Sequence, residues 1–253
     1  MLSIDLNADV GESFGAHIIG CDAALMRSIT SANIAAGFHG GDPSVLRDTI
    51  RLAKDCGVAI GAHPGFPDLV GFGRREMRVT AREAEDFVLY QVAAVAGVAA
   101  AEGAKLQHVK PHGALYNMAA RDGQLAAAIA RGVAAIDRSL ILYGLPNSEL
   151  LKAARGAGLR AAAEGFADRA YEPDGSLMAR RRPGAVITDP DMVVARAIRL
   201  VKEHSVAASD GTPLTLHIDT LCVHGDTPGA DDLAARLRAG LEAAGVAVRA
   251  FGG

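Results

Sequence analysis

The sequence contains no tryptophan, and aromatic residues make up only 4% of its 253 residues. The chain therefore lacks the aromatic platform on which single-stranded nucleic acids stack. Its 26 basic residues are dispersed and are outnumbered by 29 acidic residues, so that the formal net charge is −3. Without a basic stripe or stacking aromatics, nucleic acid is not an expected partner.

Cysteine is equally scarce, and long apolar runs are missing. The three cysteines, Cys21, Cys56 and Cys222, are far apart and form no CxxC pair. They predict a reducing compartment without a disulfide framework or a zinc knuckle. The longest apolar run, VAAVAGVAAA, is shorter than the roughly 20 residues of a membrane span. Three carboxylates within the first twelve residues do not suit a signal peptide. We therefore expect a soluble, cytoplasmic protein with no membrane partner.

What the sequence does contain is a regular alternation of helix signals and short apolar segments. Asp42-Pro43 and Asp189-Pro190 each pair an N-cap carboxylate with a proline at the first helical position, and TARE at 80–83 is a capping box. Other helix starts and ends are indicated at Asn147, Thr227-Pro228, Gly57, Gly103 and Gly245. The apolar segments are LSIDLNA, ANIAA, GVAIGA, LQHVK, LILYG, LRAAA, LHIDTLCVH and VAVRAF.

Strands that alternate with helices predict βαβ units and a parallel sheet. Because no linker interrupts the pattern, we expect one α/β domain over residues 1–253, a single (β/α) barrel of seven or eight parallel strands. An open doubly wound sheet is the alternative, but no G-x-G-x-x-G follows the first segment. A G-x-x-x-x-G-K-[ST] motif is missing too, so any nucleotide must bind without it.

The first segment alternates apolar residues with polar ones. In LSIDLNADV, the residues Asp5, Asn7 and Asp9 all fall on one face of the predicted strand. A buried uncharged polar group already costs roughly 2–7 kcal/mol when it is unpaired, and a carboxylate costs more. This face is therefore expected to look into the barrel mouth. LTLHIDT repeats the pattern, with Thr215, His217 and Asp219 on its polar face.

Four apolar segments end in a histidine that is followed at once by glycine or proline. They are AAGFHGGDP, AIGAHPGFP, VKPHGALYN and LCVHGDTPG, which contain His39, His63, His112 and His224. A barrel enzyme keeps its active site at the carboxyl ends of its strands. One such histidine could merely bind a loop, but four of them predict a shared pocket. The residues predicted at this rim are Asp9, Glu12, His39, His63, Lys110, His112, Glu164, His224 and Asp226. His17, His108, His204 and His217 are interpreted as structural or exposed.

The loop HPGFPDLVGFGRR at 63–75 is rich in glycine and ends in two arginines. The backbone amides of Gly71 and Gly73, together with Arg74 and Arg75, could clamp a phosphate or a carboxylate. An ordinary lid loop with solvated arginines would have the same spacing.

Seven ordered blocks give nearly the whole chain a resemblance to the LamB/YcsF family. They are DLNADVGE (5–12), NIAAGFHGGDP (33–43), GAHPGFPDLVGFGRR (61–75), VKPHGALYN (109–117), EGFADRAY (164–171), PGAVITDP (183–190) and CVHGDTPGA (222–230). The resemblance implies a barrel of the glycoside hydrolase/deacetylase type. It also implies one subunit of an ATP-dependent 5-oxoprolinase, which opens 5-oxo-L-proline (pyroglutamate) to L-glutamate while ATP is hydrolysed to ADP and phosphate. Such a protein is expected to act with two companions, the B and C subunits.

A mechanism for that activity starts from an activated ring, because a lactam is a poor electrophile. ATP could phosphorylate the carbonyl oxygen, after which water deprotonated by a carboxylate or a histidine opens the ring. Lys110, Arg74 and Mg²⁺ could supply the positive charge that phosphoryl transfer needs, with Asp9 or Glu12 holding the ion. Lys110 is also expected to keep the neighbouring His112 neutral. The candidate acid–base groups are His39, His63 and His112.

Two other functions are open at this point. A metal-dependent deacetylase or amidase would use Asp9, His39 and His63 as ligands. No H-x-x-x-H spacing supports such a site, and we assign no protein metal ligands from the sequence. A non-catalytic binding or regulatory subunit is the second alternative. It would tolerate the loss of Lys110 and His112.

Overall fold

The computed structural model describes residues 2–226 and 229–252. Within this part of the chain, seven parallel strands pair in the order β1-β2-β3-β4-β5-β6-β9, and β9 pairs with β1 to close a barrel. The strands are β1 Ser3–Val10, β2 Ser31–Ala35, β3 Ala59–His63, β4 Leu106–Val109, β5 Ile141–Gly144, β6 Arg160–Phe166, β7 Ser205–Ala207, β8 Pro213–Thr215, β9 Thr220–Val223 and β10 Ala247–Val248. The predicted (β/α) barrel is confirmed, and the last apolar segment supplies β10, which pairs with the start of β1.

Helices surround this barrel and begin largely where the sequence predicts. They are α1 Asp22–Leu25, α2 Pro43–Asp55, α3 Ala81–Ala101, α4 Gly113–Ala119, α5 Gly123–Ile136, α6 Glu149–Gly156, α7 Pro190–Glu203 and α8 Ala230–Ala243. Asp42 and Asp189 cap α2 and α7, and the capping box of α3 is present. The predicted start at Asn147 is wrong by one residue, because the Ser148 hydroxyl caps α6. The start at Thr227-Pro228 lies outside the described residues.

Among the described residues, α3 is the one helix long and apolar enough to cross a membrane. Its apolar residues include Val88, Val92 and Val95, which are fully buried. The helix packs between the barrel and α5. Burial against the barrel and α5 thus accounts for the apolar residues on this face of α3.

The second alternating segment is not a barrel strand, so this prediction was wrong. β8 pairs antiparallel with β7 in a separate two-stranded sheet, and the chain enters the barrel only at Thr220. Thr215 and His217 are exposed as a result. The pattern misled because a two-stranded ribbon with one solvated face alternates in the same way as a barrel strand with a polar interior.

The polar face of β1 extends through the whole depth of the barrel rather than only to its mouth. Asp5 lies deepest and is 1% exposed. It accepts hydrogen bonds from Thr30 and Ser31, each at 2.7 Å, and from Thr220 at 2.5 Å. The Tyr143 hydroxyl donates to it as well, at 3.1 Å. One carboxyl group of β1 is therefore hydrogen-bonded to residues in or next to β2, β5 and β9.

A second polar layer lies above Asp5 and contains one of the histidines interpreted as structural or exposed. His108 is fully buried, and its Nε2 lies 2.9 Å from Asn33 Oδ1. The Asn33 amide in turn donates to Asn7 and Asp9. Gly61 makes room for this ring, because a Cβ there would lie 2.0 Å from His108 Nε2. His108 therefore has a structural role inside the barrel.

We expect Asp5→Ala to destabilise the chain strongly. The substitution leaves several buried hydroxyl groups without their acceptor, and each such loss costs about 1–3 kcal/mol. Urea unfolding should show a free energy of unfolding lower by about 3 kcal/mol, whereas Asp48→Ala on the exposed face of α2 should change it by less than about 0.5 kcal/mol. Equal effects of the two substitutions would contradict the role assigned to Asp5.

Candidate active site

Three of the predicted strand-end histidines are in direct contact at the barrel mouth. His39 follows β2, His63 ends β3, and His112 is the N-cap residue of α4 just beyond β4. The rings of His39 and His112 are stacked, with centroids 3.7 Å apart and planes 3° apart. His63 lies edge-on to both rings. All three side chains are buried.

Backbone carbonyl groups fix the tautomers of two of these rings. His63 Nδ1 lies 2.7 Å from the Lys110 carbonyl oxygen, and His112 Nε2 lies 2.8 Å from that of Phe72. A carbonyl oxygen only accepts, so each of these nitrogens carries the hydrogen. The remaining nitrogens, His63 Nε2 and His112 Nδ1, face one another at 2.9 Å. In neutral rings both would present a lone pair.

A carboxyl group completes this cluster. Glu12 Oε1 lies 3.1 Å from His39 Nε2 and 3.5 Å from His112 Nδ1. Burial, with the nearby Asp9 and Asp226 carboxylates, raises the pKa of Glu12 well above its ordinary value. Burial and the His63 ring lower the pKa of His39 well below the usual range.

The pKa of His112 is lowered too, as the sequence predicts, but the cause is different. Burial is the largest contribution, followed by the neighbouring His39 and His63 rings. Lys110 does not point at this imidazole. Its ammonium group turns into the barrel instead, toward the carboxylates of β1 and β6.

Lys110 is held between two carboxylates. Its Nζ lies 2.9 Å from Asp9 Oδ1 and 2.8 Å from Glu164 Oε1, and it also contacts Cys222 Sγ at 3.0 Å. Burial alone would lower the pKa of Lys110, but Asp9, Cys222 and Glu164 raise it well above its ordinary value. Burial would likewise raise the pKa of Asp9, but His63 and Lys110 hold it well below the usual range. The ion-pair geometry predicts a charged lysine at all relevant pH values.

The fourth strand-end histidine belongs to a separate pair on the other side of Asp9. His224 Nδ1 lies 2.9 Å from Asp168 Oδ2, and the Phe166 ring stacks on the imidazole. Burial would raise the pKa of Asp168, but His224 and Arg169 lower it. One ring nitrogen of His224 lies within 4.8 Å of Asp9 and Cys222. Asp168 was missed in the sequence, although it follows β6 just as the histidines follow their strands.

The loop at 63–75 covers this site, and most of its predicted anion-binding donors are occupied within the loop. The Gly71 amide donates to Asp68, and the Arg75 guanidinium makes a bidentate ion pair with the same carboxylate. Arg74 instead reaches across the mouth to Asp226 at 2.6 Å. The carboxylate that this loop binds is therefore its own Asp68, and Arg74 is the one of its two arginines that lies at the mouth.

Gly73 allows the loop to lie directly on the histidines. Its φ is +61°, and a Cβ would come within 2.7 Å of the His39 Cβ and 2.9 Å of His112 Cδ2. The loop closes the mouth tightly, since His224 and Asp9, the most accessible of the predicted catalytic residues, are 9% and 8% exposed.

Two surface cavities, of about 690 and 530 Å³, lie at the opposite end of the barrel.

Two groups at the mouth have the composition of a metal site. Glu12, His39, His63 and His112 form the first, and Asp9, Cys222 and His224 form the second. Within each group the potential ligand atoms lie within 4.8 Å of one another. The first group unites side chains from the ends of four successive barrel segments, which no local spacing in the sequence reveals.

Comparisons with known proteins place the chain in one family. The 5-oxoprolinase A subunit of Bordetella pertussis is 55% identical over 248 residues, which cover 98% of this chain and 98% of that protein. The protein of the same name from Bacillus subtilis is 52% identical over 251 residues, covering 99% and 98%. The crystal structure of a lactam utilization protein from Thermus thermophilus is 50% identical and superimposes with a TM-score of 0.94, covering 99% of this chain and all of that one. The sequence pattern of the LamB/YcsF family matches residues 4–253. The chain belongs to the LamB/YcsF family.

Proposed function

We propose that this chain is the A subunit of a 5-oxoprolinase, which opens 5-oxo-L-proline to L-glutamate with hydrolysis of ATP to ADP and phosphate. The observation that carries the proposal is a closed acid–base site around Asp9, in a chain that shares more than half of its residues with proteins of that name. The companion B and C subunits are part of the proposal, as are ATP as co-substrate and Mg²⁺ as its counter-ion.

The substrate is a small ring with one carboxylate, and two arginines, Arg74 and Arg180, pair with Asp226 at the mouth. Arg74 lies on the covering loop, is partly exposed, and pairs with Asp226. We expect the substrate carboxylate to displace Asp226 from this guanidinium group. Binding and loop position are then coupled through one ion pair.

The proposed chemistry begins with transfer of a phosphoryl group from ATP to the lactam oxygen. Water, deprotonated by His224, adds to the activated carbon, and the C–N bond breaks with the proton passing to the leaving amine. This step leaves an acyl phosphate, which a second water hydrolyses to glutamate and phosphate. His224 is the best-placed base because Asp168 holds its Nδ1 and leaves Nε2 for the water.

Lys110 has a different role from the one expected from the sequence. Its charge is matched by Asp9 and Glu164, so the three groups together are not cationic. A lysine in this position orients Asp9 and balances the charge of two buried carboxylates, and it does not offer a free positive charge to a phosphate. Lys110 is therefore proposed as a positioning residue.

The function is tested by measuring glutamate and ADP together from 5-oxoproline and ATP, with the chain alone and with the B and C subunits. We expect both products in equal amounts and only in the complete mixture. Glutamate formed without ATP would indicate an amidase, and glutamate formation that the B and C subunits retain at an altered rate when this chain is omitted would indicate a regulatory role.

His224→Gln should lower the rate of glutamate formation by about 10²–10⁴-fold, which is the usual contribution of an acid–base group. Asp168→Asn should lower it less, because the amide keeps the shape of the carboxylate but lacks the charge that stabilises the imidazolium formed when His224 deprotonates the water.

Asp48→Asn, on the exposed face of α2, is the matched control for Asp168→Asn and should leave the rate per folded molecule unchanged. A purely structural Asp168 would reduce the amount of folded protein without lowering the rate per folded molecule. That result would remove His224 from the proposed mechanism.

Gly73→Ala should lift the covering loop from the histidines. Gly158→Ala is a matched control, because Gly158 also has a positive φ but a Cβ there would meet nothing within 4 Å. Both substitutions carry the backbone strain of about 1–2 kcal/mol. Only Gly73→Ala adds overpacking of about 1–3 kcal/mol and should reduce glutamate formation at least tenfold. Equal losses of stability and activity in the two variants would show that loop closure is not needed.

A further inference from the structure

We propose that Glu12, His63 and His112 hold a divalent transition-metal ion at the barrel mouth. The proposal starts from the contact between the two imidazoles. His63 Nε2 and His112 Nδ1 lie 2.9 Å apart, while the other nitrogen of each ring donates to a backbone carbonyl oxygen. Two neutral rings in these tautomers would direct lone pairs at each other. Such an arrangement is stable only when a cation, either a proton or a metal ion, lies between the two nitrogens.

The distances fit a metal ion. Zn²⁺ binds imidazole nitrogen at about 2.0–2.1 Å, so two ligands of a tetrahedral site lie roughly 3.3 Å apart. His63 Nε2 to His112 Nδ1 is 2.9 Å and His112 Nδ1 to Glu12 Oε1 is 3.5 Å, which bracket that value. The two rings are also nearly perpendicular, at 89°, so one ion can lie in both ring planes.

The same geometry excludes His39 as a fourth ligand. Its ring is parallel to that of His112, with centroids 3.7 Å apart, so one ion cannot lie in both planes. His39 Nε2 instead lies 3.1 Å from Glu12 Oε1, where it can donate and orient the carboxylate. Two histidines and one glutamate with an open fourth position are the ligand set of a catalytic zinc site rather than a structural one.

The surroundings of the two histidines resemble the outer shell of a metal centre. A ligating histidine generally donates its other ring N–H to a carboxylate or a carbonyl oxygen. The Lys110 carbonyl does this for His63, and the Phe72 carbonyl does it for His112. Phe72 belongs to the covering loop, so closure of the loop and orientation of the ligand are linked. Imidazole with carboxylate selects Zn²⁺, Fe²⁺, Co²⁺ or Mn²⁺ over Ca²⁺.

The proposal of an ion rests on the geometry of the side chains, whereas its chemical role rests on the proposed function. An ion in this position would polarise the lactam carbonyl or the attacking water at the open position. The sequence-based assignment of no metal ligands is thereby revised, and so is the ligand set Asp9, His39 and His63 considered for a deacetylase. Asp9 Oδ1 already accepts hydrogen bonds from Lys110 and Asn33.

The test uses the full chain without an affinity tag, stripped of metal with EDTA and titrated with Zn²⁺ by calorimetry. We expect one equivalent to bind. His63→Gln and His112→Gln should each weaken binding by more than about 100-fold, whereas His39→Gln, as an outer-shell partner, should weaken it by about 10–100-fold. His217→Gln is the control for an exposed histidine and should leave the affinity unchanged.

A second measurement needs no variant. Zn²⁺ at about 100 times its dissociation constant should raise the unfolding temperature of the unaltered chain by roughly 5–10 °C. Failure of the chain to bind Zn²⁺, or equal affinity of the unaltered chain and the His63 and His112 variants, would overturn the proposal and show that a proton joins the two rings. Because binding is measured on the isolated chain, either result is independent of the glutamate assay.

Discussion

The ammonium group of Lys110 between Asp9 and Glu164 is the interaction on which the rest of the site depends. Three ionisable groups are buried in the centre of the barrel, and each would be costly there without the others. Removing one partner of such a set costs about 3–5 kcal/mol, because the remaining charge has no water to solvate it. The ion pairs also fix Asp9 in position between the cluster of three histidines and the pair of His224 and Asp168. The side chains at the mouth are therefore held in place by these buried ion pairs.

Uncharged polar residues lie below these ion pairs, so the barrel interior is polar through its whole depth. Asn33 donates to Asp9, and His108 fills the space that Gly61 leaves open. Parallel barrels normally fill this volume with branched apolar side chains. Asp5, Asn7, Asn33 and His108 each have a hydrogen-bond partner on a different strand, which favours one register of the strands over others. The barrel interior thus buries less apolar surface than usual, but its hydrogen bonds hold the residues at the mouth in fixed positions.

The sequence was sufficient to predict the barrel and the rim, because both depend on local patterns. Alternation in β1 indicated an interior polar face, and the histidines after β2, β3 and β9 indicated the end of the barrel that carries the site. It was insufficient for contacts between distant segments. Asp168 could be recognised only when its distance to His224 was known, and Arg75 was assigned to a ligand because its partner Asp68 could not be identified from spacing. The prediction for LTLHIDT was wrong for the same reason, since an alternating pattern does not indicate which sheet the strand joins.

The position of Asp9 explains why the mouth divides into two halves with different properties. On one side its Oδ1 lies 3.4 Å from His63 Nε2, next to the converging lone pairs of the histidine cluster. On the other side lies His224, whose partner Asp168 is anionic and accepts from Nδ1. The first half is where we propose a metal ion, and the second half is where we propose the base. A small lactam bound between the proposed ion and His224 would meet an electrophilic centre on one face and a base on the other, which is the arrangement that hydrolysis of an unreactive amide requires.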